Sequence, residues 1–196
     1  DAGVVCMPTI GLPKHAAKAI DMGADAVTVQ GGEGGGHTGS VPTTLLIPQV
    51  IDATAGRVPV LAAGGFKDGR GLVAALAWGA SGIAMGTRFL MSKESQPPGV
   101  TKQCYVDCSN PSDIIVSRAM DGLPQRMIMN DMLAELEKAG NLKKLIIALR
   151  NGLKFRQFTG ASIFDLLKSA LAMSRDDDMS PAQAIMSANA PMIIQK

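Results

Sequence analysis

Nine consecutive residues, Gly31-Gly32-Glu33-Gly34-Gly35-Gly36-His37-Thr38-Gly39, place six glycines around one histidine and one carboxylate. A stretch with so few packing atoms is either a flexible surface loop with an incidental histidine or a backbone path shaped for a ligand. In the second reading the glycines let the chain lie flat against a planar molecule. His37 then supplies a base or hydrogen-bond donor, because imidazole is the side chain that exchanges protons around neutral pH. Glu33 either orients the loop or faces water.

A second set of residues suits anion binding. Ala62-Ala63-Gly64-Gly65 and Met85-Gly86-Thr87-Arg88-Phe89 each end an apolar run in small residues. The amides of Gly64, Gly65, Gly86 and Thr87, with the Thr87 hydroxyl, would form a pocket of donors for a phosphate. A lone Gly-Gly carries little weight, but two such loops at consecutive strand ends carry more. No GxxxxGK[ST] stretch occurs, and Gly31–Gly36 lacks the downstream helix and acidic residue of a dinucleotide fingerprint.

The elements that would position these loops are legible in the first half of the chain. Val4 to Ile10, Ala26 to Gln30, Val58 to Ala63 and Gly82 to Met85 are nearly continuous apolar runs, the pattern of strands buried on both faces. Between them lie Pro13 to Met22, Thr43 to Thr54 and Gly69 to Trp78, long enough and periodic enough for helices. Alternating strands and helices predict an α/β fold with a parallel sheet, either a barrel or an open doubly wound sheet. Each strand is followed by glycine at its carboxyl edge, where α/β folds place their ligands.

From about Lys93 the texture changes. Pro97, Pro98, Pro111 and Pro124 interrupt a stretch without strand and helix alternation. Helical patterns follow from Asp131 to Lys144 and on toward Phe158, from Ser162 to Arg175, and from the capping box Ser180-Pro181-Ala182-Gln183 to about Asn189. The division expected is therefore a sheet portion, 1–92, and a helical portion, 93–196, that covers the ligand face or packs as a plain layer.

Composition narrows the function classes. With 46% hydrophobic residues in 196, one sizeable core is within reach. The net charge of +2 is scattered, without the basic face that nucleic acid needs. Apolar stretches fall short of a membrane span, and the expectation is a cytoplasmic protein. Three cysteines do not make a disulfide framework, and Cys104 and Cys108 without nearby histidines read as structural, so no metal is expected. The chain opens at Asp1, without Met, and runs almost directly into a strand, so it reads as a fragment with open sheet edges at Val4 to Ile10 and Gly82 to Met85.

The order and spacing of Gln30-Gly31-Gly32-Glu33-Gly34-Gly35-Gly36-His37-Thr38-Gly39, Ala62-Ala63-Gly64-Gly65 and Met85-Gly86-Thr87-Arg88-Phe89 resemble the nitronate monooxygenase (2-nitropropane dioxygenase) family. The first half carries the resemblance well and the second half, with Ala188-Asn189-Ala190-Pro191-Met192, more loosely. It implies the carboxyl-terminal half of a (β/α)8 TIM barrel, strands five to eight, with a helical cap domain and one FMN at the strand ends. It further implies His37 as the catalytic side chain, flavin contacts at Gln30, Gly35 and Gly36, and phosphate contacts at Gly64, Gly65, Gly86 and Thr87.

The implied activity is FMN-dependent oxidation of alkyl nitronates or nitroalkanes with O2 to carbonyl compounds and nitrite. The Gln-Gly-Gly-Glu-Gly-Gly-Gly-His stretch also resembles a relative from actinobacterial steroid breakdown that acts on a CoA ester of a degraded ring system. Two alternatives stand beside the nitronate reading. One is an NAD(P)H-dependent flavin reductase of enoyl-thioester or CoA-ester substrates, and the other is a non-catalytic module that binds a phosphate ligand. The partners expected are a small-molecule substrate, O2 or NAD(P)H, and a second copy in a homodimer.

Overall fold

The computed structural model describes residues 3–119 and 123–140. The sequence-based helices beyond residue 140 lie outside the described residues. The chain divides into two compact units, Asp1–Pro111 and Ser112–Lys196.

The first unit is built on a four-stranded parallel sheet of β1 (Thr9–Ile10), β2 (Val27–Gln30), β4 (Val60–Ala63) and β5 (Gly82–Ala84), in the order β1-β2-β4-β5. Helices α1 (Pro13–Asp21), α2 (Thr43–Thr54) and α3 (Gly69–Ala77) connect them. The two-residue strand β3 (Gly36–His37) interrupts the glycine-rich loop, and the short α4 (Thr87–Leu90) and α5 (Gly99–Asp107) follow β5. All four sheet strands fall within the apolar runs of the sequence. The first is shorter than its run, with Val4 and Val5 lying 79% and 74% exposed outside the ladder.

The core explains why the pattern was legible. Val27 and Val29 of β2, Val60 and Ala62 of β4, and Leu46, Ile47 and Val50 of α2 are buried together, in one cluster with Ile10 of β1, Ala16 of α1, Ala75 of α3 and Ala80. Helix α2 keeps Pro48 in its interior, where the ring removes one backbone donor. Burial of Leu46, Ile47, Val50 and Thr54 on one side of the same helix offsets that loss. It ends in a left-handed turn at Ala55 (φ 50°) and Gly56 (φ 71°). Helix α3 begins at Asp68, whose carboxylate accepts from the Arg70 amide at 3.0 Å. The Arg70 guanidinium beside it lowers the Asp68 carboxyl from 3.8 to about 2. Because the folded-state value is the depressed one, the contribution of this cap is complete above the ordinary carboxylate range. It is lost as pH falls from there through about 2.

In the second unit, β6 (Ile114–Ser117) and β7 (Gln125–Ile128) pair antiparallel, and α6 (Asp131–Lys138) follows. Proline-rich sequence hid this hairpin, since strands of four residues leave little periodicity to detect. Leu133 and Leu136 pack with Ala119, Ile115 and Met127. The buried Ser117 hydroxyl bonds the Glu137 carboxylate and accepts from the Ala119 amide at 3.0 Å, and Asn130 caps α6 through the Leu133 amide.

Two adjacent leucines test this account of the core. Leu46 is 1% exposed and Leu45 57% exposed. Leu46→Ala is expected to lower stability by about 2–5 kcal/mol, and Leu45→Ala by less than about 0.5 kcal/mol. Urea denaturation of both variants measures the difference, and equal midpoints would contradict the packing described.

Candidate functional site

Strand register brings the candidate loops to one edge of the sheet. Gln30 of β2 pairs with Ala63 of β4, and Ala63 pairs with Ala84 of β5. The residues that follow, Gly31 onward, Gly64-Gly65 and Met85-Gly86-Thr87, therefore leave neighbouring strands at the same carboxyl ends, the ligand edge of a parallel α/β sheet. Gln30, Gly64 and Gly65 come from directly paired strands, and Gly86 and Thr87 from the next one along.

The glycine-rich loop is held along its length. At its start the Gly31 amide donates to Ala63 O at 3.1 Å, and the Gly32 amide donates to Val41 O at 2.8 Å. Gly31 O accepts from the Gly34 amide at 3.0 Å and from the buried Thr38 hydroxyl at 3.3 Å. Gln30 reaches over the loop, its Nε2 donating to His37 O at 2.7 Å. These bonds run along the stretch from Gln30 to Thr38, and His37 is exposed on it.

A second set of contacts ties that loop to its neighbours. Helix α2 starts after Pro42, which offers no capping side chain. The acceptor for its first amide comes from elsewhere: Glu33 Oε2 accepts from the Thr43 amide at 2.8 Å and also from the Thr43 hydroxyl. A carboxylate at a helix amino terminus is favoured both by the orphan amides and by the helix dipole. The Thr43 oxygen also lies 3.3 Å from Gly64 O. Thr43, 5% exposed, thus sits where the loop, α2 and the turn after β4 meet.

The glycines divide into two groups on this evidence. A Cβ on Gly31 would run into the Cα and side chain of Thr43. Gly64 (φ +103°) and Gly65 (φ +79°) hold backbone angles that side chains resist, and a Cβ on them would meet Thr43 Oγ1 and Gly31 in one case and Glu33 in the other. Protein packing alone accounts for these three. Among the described residues no atom lies within 4 Å of a Cβ added at Gly35, Gly36 or Gly86, so packing explains none of them, but Gly36 holds a φ of +73° that side chains resist. Thr87 opens α4 and is exposed. Sequence reasoning missed Thr43, although a Pro-Thr pair at a helix start without an acceptor at the cap position was the available signal.

Among the described residues, no group of three or more His, Cys, Asp or Glu stands close enough to hold a metal ion. No helix among them is long and apolar enough to cross a membrane.

Comparison with known proteins agrees with this arrangement. A relative from Rhodococcus jostii is 52% identical over 99% of the chain and is named as a 5-hydroxy-7a-methyl-1-oxo-octahydro-1H-indene-4-carboxyl-CoA dehydrogenase. A probable nitronate monooxygenase of Staphylococcus aureus is 37% identical over 59% of the chain. The chain spans about half the length of the first of these, 54%, and 35% of the second. Among solved structures, FabK from Thermotoga maritima (M276A mutant) superposes with a TM-score of 0.62 at 35% identity, covering 74% of this chain and 47% of that one. Nitroalkane oxidase from Streptomyces ansochromogenes gives 0.60 at 35% identity, covering 68% and 41%. With these neighbours the parallel sheet and its helices are part of a TIM barrel. The nitronate monooxygenase family model matches residues 1–190, and the chain belongs to that family.

Proposed function

We propose that this chain carries the FMN site of an oxidoreductase that dehydrogenates the CoA ester of a fused-ring carboxylic acid, with His37 handling the substrate proton. The observation that supports it most is the 52% identity, running through 99% of the chain, to a relative named as a carboxyl-CoA dehydrogenase. Likeness to a named nitronate monooxygenase is lower and covers 59% of the chain. The nitronate reading therefore stands second, and reduction of an enoyl thioester with NAD(P)H is the same hydride chemistry run in reverse.

The residues present fit a flavin. Gly35 and Gly36 leave open space beside His37, and Gly86 leaves open space beside the turn after β4, so a flat ring and a phosphate would meet backbone where a Cβ would otherwise stand. In this reading Gln30, Gly35 and Gly36 lie against the ring, while Gly64, Gly65, Gly86 and Thr87 hold the phosphate. Bound FMN would accept the hydride. What the chain itself supplies is position and proton transfer. The His37 imidazole takes the proton lost by the substrate carbon or oxygen, and the loop bonds through Gly31 O, Gly32 N and His37 O hold the backbone that carries that imidazole. The reading also places the protein in the cytoplasm, with O2 or NAD(P)+ taking up the electrons that the substrate loses; NAD(P)H would supply electrons only in the reductase alternative.

Anaerobic mixing of the intact, FMN-loaded protein with a hydroindane carboxyl-CoA ester is expected to bleach the flavin absorbance. Failure to bleach, together with oxygen consumption on an alkyl nitronate, would replace this reading by the second one. His37→Asn is expected to keep FMN while slowing turnover by a factor of order 10² to 10⁴. Undiminished turnover in that variant removes the proton-handling role.

The open space at Gly86 makes it the cleanest probe of the phosphate site, since its φ of −83° accepts any residue. Gly86→Val is expected to weaken FMN binding by about tenfold to a hundredfold, the loss of a bond to a charged group, with the thermal transition unchanged. FMN titration followed by fluorescence reads the effect, and parental affinity would move the phosphate elsewhere. Gly64→Val does not separate the two effects, because it strikes Thr43 and Gly31 first.

A further inference from the structure

Glu33 has a task that neither the loop's composition nor the family match assigns. Its carboxylate takes both the amide and the hydroxyl of Thr43, supplying the cap that Pro42 does not offer to α2. The Thr43 oxygen is within 3.3 Å of Gly64 O, Gly31 packs directly on Thr43, and a Cβ at Gly65 would come to 3.2 Å from Glu33 Cβ. One carboxylate thereby joins the strand of chain that carries His37, the start of α2, and the turn after β4.

We propose that Glu33 is a positioning residue that couples the His37 loop to the Gly64-Gly65 turn through Thr43, so that proton-handling side chain and phosphate cradle are held relative to each other. The inference rests on the flavin reading given above. Glu33 acts through Thr43 and touches neither substrate nor flavin in this role. Removing the carboxylate leaves the first amide of α2 without this acceptor and the Thr43 hydroxyl with Gly64 O alone, and the glycine segments lose one of the contacts between them. Replacing it by an amide keeps one acceptor oxygen for Thr43, while the charge is lost and the second oxygen becomes an NH2 donor.

The test uses Glu33→Ala, Glu33→Gln, Thr43→Val and Thr43→Ser in the intact protein. Amide hydrogen exchange on the flavin-free protein is expected to quicken in both the 31–38 and 64–66 segments in Glu33→Ala and Thr43→Val, and to stay near parental in Glu33→Gln and Thr43→Ser. FMN affinity should fall about tenfold in the first pair. Turnover should fall about tenfold as well, in kcat more than in KM, and this loss should vanish when Glu33→Ala is placed in a His37→Asn background. Faster exchange confined to 31–38, or parental FMN affinity in Glu33→Ala, overturns the coupling. If Glu33→Ala does not fold, Thr43→Val against Thr43→Ser carries the same decision. A silent His37→Asn would instead count against the proton role alone, because exchange and FMN affinity are read without turnover.

Discussion

The first turn of helix α2 lacks an acceptor of its own, and the way that want is met organises the ligand edge of the sheet. Pro42 stands at the cap position, so the Thr43 amide takes the Glu33 carboxylate, which belongs to a loop ten residues earlier. A helix whose inner face buries Leu46, Ile47 and Val50 is fixed against the sheet and cannot drift. Its amino terminus is thus a rigid post, and the glycine-rich loop is fastened to it. The remaining loop bonds, from Gly31, Gly32, Gln30 and Thr38, settle the path between that fastening and β2.

Close packing around Thr43 also changes what the glycine pattern means. Read as sequence, the glycines at the strand ends look like one population, all cleared for a ligand. In the structure Gly31 is small because Thr43 occupies the space, and Gly64 because Thr43 and the Gly31 backbone do. Gly35, Gly36 and Gly86 border space that no atom of the described residues fills. Gly36 also needs glycine for its φ of +73°, so of these three only Gly35 and Gly86 can take a side chain without disturbing the scaffold.

The strand and helix order of the first unit was legible because each element buries a continuous or periodic apolar face: Val27, Val29, Val60 and Ala62 in the sheet, Leu46, Ile47 and Val50 in α2. The strand ends and the loops after them followed directly. What was not legible has physical causes. Val4 and Val5 are apolar yet lie outside the ladder, since hydrophobicity does not say where pairing stops. The hairpin Ile114–Ser117 and Gln125–Ile128 is too short for its alternation to stand out from proline-broken sequence. The part of Thr43 depends on contacts with residues 10 and 21 positions away, and spacing along the chain carries no trace of such meetings.

The grip of Gln30 on residue 37 falls on the peptide carbonyl. The path of the loop at that point is therefore written in backbone, and the identity of the side chain it presents is a separate variable. A substitution at residue 37 therefore keeps an acceptor for Gln30, because every residue there carries the same carbonyl.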